Sequence, residues 1–436
     1  MSGYRNELYN IYEGVSHEDY LIATYIVGAD TKDFLRLSGE IAAEQTTGSW
    51  LPVPLETPEL MACHSAQVIN AFEVPDYTYY LPGGRRQFVV EIAFPVCNFT
   101  SQIPMLLSTV IGNISLMGEL KLVDLKFPKS FVDGFPGPRF GIDGMRKYLN
   151  VPKRPLINNM IKPCTGLTPK QTADMFYEVA IGGVDIVKDD ELIANACYSS
   201  VAERVKLCMA MEKRAFEETG EHTYYAVNVT DNPHRVMENA RAALEAGTNM
   251  LMLNTHTAGF GTLQMLAESE EFNVPILSHP DYAGAVAWPE KSGVSAHLIL
   301  GKFLRLCGAD ISVYPTNFGK LPINIEQVVK IVFALQSPLY GMKGVMPMPS
   351  GGMTQGMVQL VMADMGNDIV IGAGAAVHAH PLGSKAGGMS FRQAVDAVLE
   401  GKTLREGAKQ HKELAIALDL WGIPGEEDKE IFGLKK

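Results

Sequence analysis

The sequence predicts an α/β protein in which an N-terminal α+β (ferredoxin-like) domain is followed by a C-terminal (β/α)8 TIM barrel. Three observations predict it. The first ~135 residues mix short strand-like runs with helical stretches. A Gly- and Pro-rich segment, DGFPGPRFGIDG, then breaks the pattern. After it, short apolar runs alternate with longer amphipathic segments to the end of the chain.

In the first domain, YLIATYIV, QFVVEIAFP and LKLVDLKFP read as strands and TKDFLRLSGEIAAEQ as a helix. The turn-rich segment marks the boundary, giving an α+β domain over 1–140 and a barrel with a C-terminal helical tail over 141–436. The barrel runs are LINNMIKP, GVDIVKDDE, TYYAVNVT, NMLMLNTH, VPILSHP, ADISVYP, GVMPMPSGG and NDIVIGAG. Near-continuous apolar strands separated by helices imply a parallel sheet covered on both faces, and eight such units imply closure. Helical segments such as PKQTADMFYEVAIGG and HRVMENARAALEAG end on glycine, which suits a helix C-terminus. A doubly wound open sheet is the rival; eight consecutive units without a GxGxxG argue against it.

Composition narrows the partners. A net charge of −12 and a pI near 5.4 lack the basic footprint that nucleic acid or an acidic membrane surface requires. The six cysteines (Cys63, Cys97, Cys164, Cys197, Cys208, Cys307) are scattered without a CxxC pair, so neither zinc nor a disulfide framework is indicated, and a reducing cytoplasm is expected. The N-terminal MSGYRNELYNIYEG has no signal-peptide pattern, and no apolar run approaches the ~20 residues of a membrane helix, so a soluble chain is expected.

Polar residues gather where the barrel runs end. Lys162 closes the first run, Lys188 to Glu191 the second, Asn228 and Thr230 the third, Asn254 and His256 the fourth, and His279 the fifth. Ser350, Gly351 and Gly352 end the seventh, and Gly372 and Gly374 the eighth. In a barrel these ends converge on one mouth, where catalytic groups sit. The bland alternative is that strand ends are simply where loops turn polar.

VDIVKDDE is the sharpest local signal. Strand alternation points Lys188 and Asp190 the same way, with Glu191 turning in as the strand ends. Two carboxylates alone make a weak oxygen site for a hard cation such as Mg²⁺. An ammonium cannot ligate a metal, so Lys188 is either a salt-bridge partner or an amine that loses its proton and adds CO₂ to become an anionic carbamate.

GGVDIVKDDE resembles the metal-binding signature of the Rubisco large-subunit superfamily. The likeness extends through AAEQTTGSW, VIGN, FPGPRFGIDG, MIKPCTGL, LRLCGAD, NFGK, PSGG and HPLG, over most of the chain. The resemblance implies a carbamylated Lys188 that joins Asp190 and Glu191 on Mg²⁺. It also implies a homodimer, or an assembly of dimers, in which Glu44 and Asn113 of one subunit reach the partner's barrel mouth. Lys162 lies where the superfamily keeps a proton-transfer lysine, and His279 where it keeps a histidine that bonds a substrate hydroxyl or relays a proton. His378 and His380 precede the terminal HPLG with two extra residues, and no catalytic role is assigned to them.

The departures bear on substrate. Cys164 stands where Rubisco carries a second lysine, Pro280 where it carries an arginine, and Ala283 and Val313 where it carries histidines. A second phosphate would lack charge-assisted partners there, a loss of several kcal/mol. The chain is therefore expected not to carboxylate ribulose bisphosphate and resembles the form IV, Rubisco-like proteins acting on a phosphorylated small molecule. Ser350, Gly351, Gly352, Gly372 and Gly374 are expected to bring backbone N–H groups onto a single phosphate.

Three activities are implied by that resemblance: enolisation of 2,3-diketo-5-methylthiopentyl 1-phosphate, isomerisation of 5-methylthioribulose 1-phosphate, and decarboxylation of 3-oxo-isoapionate 4-phosphate. The enolase group carries a lysine base where this chain has Asn113, and an amide is no general base near neutral pH. Lys320, in NFGK, lies at the mobile-loop position where Rubisco's lysine steadies a carboxylate. The first choice is thus a decarboxylase that uses Lys162, Lys188, His279 and Lys320, with the enolase and isomerase as alternatives. A degenerate relative that only binds a sugar phosphate is the non-enzymatic reading, and the intact Lys188, Asp190 and Glu191 set argues against it.

Overall fold

A computed structural model describes residues 15–30, 33–48, 53–74 and 85–426. They fall into two compact units: residues up to Pro136 together with Tyr282–Ile299, and Gly137–Asp281 together with Leu300 onward. The opening MSGYRNELYNIYEG segment lies outside the described residues.

The first unit is an antiparallel sheet in the order Leu120–Lys126, Tyr20–Ala29, Arg86–Pro95, Gln67–Val74. Helix Phe34–Glu44 joins the first strand towards the second and helix Ile103–Ile111 joins the third to the fourth, the βαββαβ order of a ferredoxin-like unit. Asp33 caps the first helix by accepting from Arg36 N at 3.0 Å. Ile103, Leu106, Val110 and Ile111 of the other share one buried face at helical spacing. The fully buried Tyr25 of the central strand donates its hydroxyl to the Val110 carbonyl at 2.5 Å. Strand Gln67–Val74 goes unread in the sequence because it is an edge strand with exposed Phe72 and Val74 and a register shift near Val68.

A single cut at residue 140 does not reproduce this division. Tyr282–Ile299, read in sequence as part of the barrel, joins the first unit, where Gly293–Val294 pairs parallel with Lys121–Leu122. The Lys121 ammonium donates to the carbonyls of Ala287 and Pro289, at 3.1 and 2.5 Å. A two-residue strand carries too little periodicity to be seen beforehand.

The second unit contains all eight expected strands: Leu156–Met160, Ile186–Lys188, Tyr224–Asn228, Met250–Asn254, Ile276–His279, Ile311–Pro315, Met346–Ser350 and Val370–Ala373. They pair in parallel from the first to the seventh, and the eighth pairs with the first. The ring nearly closes where Gly372 approaches the seventh strand; a Cβ there would lie 2.8 Å from Met348 Cε and 3.0 Å from Ser350 Cβ. The interior is filled by Leu156, Ile186, Ala226, Met252, Leu277, Ile311, Met348 and Val370, with Met145 and Leu149 of helix Gly141–Leu149 packed into the same cluster. Helix starts are chemically explicit: Thr168 and Gln171 form a capping box with Pro169 in the first turn. Gly183 and Gly247, after two of the helices, adopt the positive φ values of 80° and 96° that let the chain turn back into a strand. No helix among the described residues is long and apolar enough to cross a membrane.

Candidate active site

Register sets the strand ends level. Met160 pairs with Lys188, Lys188 with Ala226, Asn254 with His279, and Pro315 with Ser350, so the residues that follow each strand gather at one mouth. Alternation sorts the second strand as expected. Ile186 is part of the barrel interior, whereas Asp189 turns the other way, accepting from Arg204 Nη2 at 2.8 Å, Asn228 N at 2.9 Å and the Tyr225 hydroxyl. Arg204, Tyr225 and Asp189 are all buried, so this outer network anchors the strand from behind and leaves Lys188 and Asp190 on the inner face.

Lys188 is 1% exposed. Its ammonium nitrogen donates to the Asp189 carbonyl at 2.8 Å, and Glu191 Oε2 stands 4.0 Å away, too far for a hydrogen bond. Burial lowers the Lys188 pKa, and the nearby Glu191 and Asp190 charges only partly offset it. Glu191 is thus the ion-pair partner of Lys188, and Asp190 takes a different one: the Lys162 ammonium sits on its Oδ2. Burial weighs against charge on both members of that pair, but their mutual bond outweighs it, raising Lys162 and lowering Asp190. Cys164 Sγ lies 3.1 Å from Lys162 Nζ.

His279 Nε2 is 3.4 Å from Glu191 Oε2. Burial, followed by the charges of Lys188, His256 and Lys162, holds this imidazole well below its ordinary pKa, so the contact joins a neutral ring to a carboxylate and is no ion pair. The Glu191 backbone is held from the neighbouring strands: Asn254 Nδ2 donates to its carbonyl at 2.9 Å and Asn228 Nδ2 at 3.4 Å. These two amides sit among the polar strand ends of the sequence, yet no motif marks them as the groups that aim Glu191.

Gly351 and Gly352 have φ of 90° and 100°, conformations that side-chain-bearing residues rarely adopt. A Cβ on Gly374 would sit 3.4 Å from Lys162 Cε, which places the glycine that follows the eighth strand against Lys162. Ser350 is buried, with its carbonyl accepting from Thr316 N at 2.8 Å. Val313 is 2% exposed within the barrel interior and offers no polar group. Lys320 does not join the cluster. It is exposed, its backbone N–H binds the Gly351 carbonyl at 2.9 Å, and among the described residues no hydrogen bond or ion pair links its ammonium to Lys162, Lys188, Asp190, Glu191 or His279. In the first unit, Asn113 Nδ2 donates to Glu44 Oε1 at 3.3 Å, and both side chains are exposed.

The donor set suits a hard divalent cation only if Lys188 contributes an oxygen. Among the described residues no three His, Cys, Asp or Glu side chains are grouped to hold a metal. A buried amine whose pKa is lowered by burial, with Asp190 and Glu191 beside it, has the chemistry to become the third anionic ligand. Two buried polar atoms at the same strand ends, His279 Nδ1 and Asn254 Oδ1, have no protein partner and suit a polar ligand.

A nearly closed eight-stranded parallel barrel with a lysine and two carboxylates at the end of its second strand, preceded by a ferredoxin-like unit, defines a class. The chain belongs to the ribulose bisphosphate carboxylase large-chain family, matching its catalytic domain over residues 141–421 and its N-terminal domain over residues 9–131. Within that family its place is among the Rubisco-like proteins. It is 48% identical over 414 residues to a ribulose bisphosphate carboxylase-like protein of Archaeoglobus fulgidus, covering 94% of this chain and 95% of the relative. It is 36% identical over 412 residues to the 2,3-diketo-5-methylthiopentyl-1-phosphate enolase of Bacillus cytotoxicus, covering 94% and 99%. The crystal structure of a Rubisco-like protein (MtnW) from Alicyclobacillus acidocaldarius superposes with a TM-score of 0.87 at 34% identity, covering 93% of this chain and 100% of that one. These relatives correct the first choice of reaction: they favour the enolase, held in sequence as an alternative, and none of them is named as a decarboxylase.

Proposed function

We propose that this chain is a Rubisco-like enolase that removes a proton from carbon in a monophosphorylated diketone such as 2,3-diketo-5-methylthiopentyl 1-phosphate. The observation that carries the reading is the Lys162–Asp190 pair beside a buried Lys188, in a chain 36% identical to an enolase of that name along nearly its whole length. Lys188 as its carbamate, Asp190 and Glu191 would hold Mg²⁺, which supplies Lewis-acid stabilisation of an enolate oxygen when bound.

The chain's own residues supply the rest. Asp190 cannot serve two cations fully, and an Asp190 engaged elsewhere releases Lys162. Burial then favours the neutral amine of Lys162, a base able to take a proton from carbon, and this removes the need for a lysine at Asn113. His279, held neutral, can donate to or accept from a substrate oxygen. Ser350 and the backbone N–H groups of Gly351, Gly352, Gly372 and Gly374 bind the phosphate. A homodimer that brings Glu44 and Asn113 to the partner's mouth is part of this reading. The exposed Leu116 (87%) and Leu55 (81%) of the first unit, the former three residues from Asn113, support a covered surface there.

The test is direct. Protein supplied with Mg²⁺ and bicarbonate should convert the diketone to its enol, followed by ultraviolet absorbance, and should release no CO₂ from 3-oxo-isoapionate 4-phosphate. CO₂ release from the oxo acid with no turnover of the diketone would overturn the proposal.

A further inference from the structure

Two exposed cysteines of the first unit, Cys63 and Cys97, stand apart from everything the proposed reaction uses. Cys63 lies in the last turn of helix Pro58–His64, and Cys97 in the turn Val96–Asn98 that follows strand Arg86–Pro95. They are 34 positions apart, so no spacing motif marks them; the fold puts them together. Cys97 Sγ lies 3.5 Å from the Cys63 carbonyl oxygen and 3.7 Å from His64 Nδ1.

Asn98 clamps the two turns to each other. Its Nδ2 donates to the His64 carbonyl at 2.8 Å, and its Oδ1 faces His64 Nδ1 at 2.7 Å. With the amide oriented by that first bond, Nδ1 carries the proton, and the same N–H also faces the Cys97 sulfur. Both sulfurs lie near the Tyr20 phenol, whose pKa is raised by burial, then Asp19, Cys97 and Cys63. Helix Pro58–His64 has no buried residue, so turning its last residues towards Cys97 disturbs little packing.

We infer that Cys63 and Cys97 form a redox-sensitive pair that closes to a disulfide by exchange with a low-molecular-weight disulfide such as oxidised glutathione. The Cys97 thiolate attacks one sulfur of the reagent, breaking its S–S bond and releasing one thiol, and a mixed disulfide remains on Cys97. The Cys63 thiolate then attacks the Cys97 sulfur, forming the internal bond and expelling the second thiol. Two protein thiols are oxidised, the reagent is reduced to two thiols, and the two protein protons end on those thiols. The His64 N–H offers a hydrogen bond to the Cys97 sulfur while it is anionic. The closed bond would tie the helix to the end of the strand and restrict the loop between them in the unfolded chain.

The experiment treats the full-length native protein with oxidised glutathione, blocks remaining thiols, and maps tryptic peptides without reduction; Arg85 and Arg86 separate the two cysteines on cleavage. The expected product is a Cys63–Cys97 cross-linked peptide pair within one chain, reversed by dithiothreitol and absent from both Cys63→Ser and Cys97→Ser. Overturning results are a glutathione adduct that persists on Cys97 of the unaltered protein, a cross-link between two chains, or no modification of either cysteine. Diketone turnover is not part of the readout, so the outcome stands whichever way the proposed function is decided.

Discussion

Lys162 and Asp190 are joined by an ion pair across the first and second barrel strands, between an ammonium 31% exposed and a carboxylate 1% exposed. The pair holds Lys162 protonated and Asp190 ionised until another cation competes for the carboxylate. Lys162→Met should therefore lower kcat for diketone enolisation about 10²- to 10⁴-fold, the usual range for loss of a general base, while thermal stabilisation by Mg²⁺ with bicarbonate persists. Steady-state kinetics and thermal shift on the same preparation check both halves.

The cradle should respond through substrate affinity. Gly352 has φ of 100°, and a Cβ there would lie 2.8 Å from the Lys320 backbone nitrogen. Gly352→Ala should raise KM for the monophosphate at least tenfold with a smaller change in kcat, since the strain displaces phosphate donors and leaves Lys162 in place. Inorganic phosphate, tested as a competitive inhibitor, should weaken in parallel.

The network behind the second strand is a stability prediction. Arg204 is fully buried and paired with buried Asp189 at 2.8 Å. Arg204→Met should leave Asp189 as an uncompensated buried carboxylate and cost about 3–5 kcal/mol, read as a lower urea midpoint. Lys412→Met, on an exposed turn of a C-terminal helix, should change stability by less than about 0.5 kcal/mol.

Acid should act partly through His378. Its Nε2 faces the Met160 carbonyl at 3.2 Å and its Nδ1 faces the Ser384 hydroxyl at 3.0 Å, and burial holds its pKa down to about 4. The unfolded chain takes up this proton at about 6.5 and the folded one only near 4. The contribution is therefore complete above 6.5 and lost as pH falls towards 4, on the order of 3 kcal/mol in all. Urea unfolding across that window should show the loss, and His378→Gln should flatten the slope.

Much of this was legible beforehand. The eight barrel strands carry short, largely apolar runs, and Lys188, Asp190 and Glu191 fall within four consecutive positions, so local pattern brought both forward. Contacts between distant segments were not legible. Nothing local marks Lys162 as the partner of Asp190, 28 positions away, or Tyr282–Ile299 as part of the first unit. Lys320 is a further case: its family position suggests a role, and the structure shows an exposed side chain whose backbone N–H binds the Gly351 carbonyl.

The central claim is that Lys188 becomes a carbamate. The most direct measurement is ¹³C NMR of the protein in ¹³C-bicarbonate and Mg²⁺, compared with Lys188→Met. The account predicts a protein-bound carbamate carbon in the unaltered chain that is missing from the variant, together with loss of diketone turnover in the variant. Identical spectra for the two proteins, with turnover unchanged by the substitution, would contradict it.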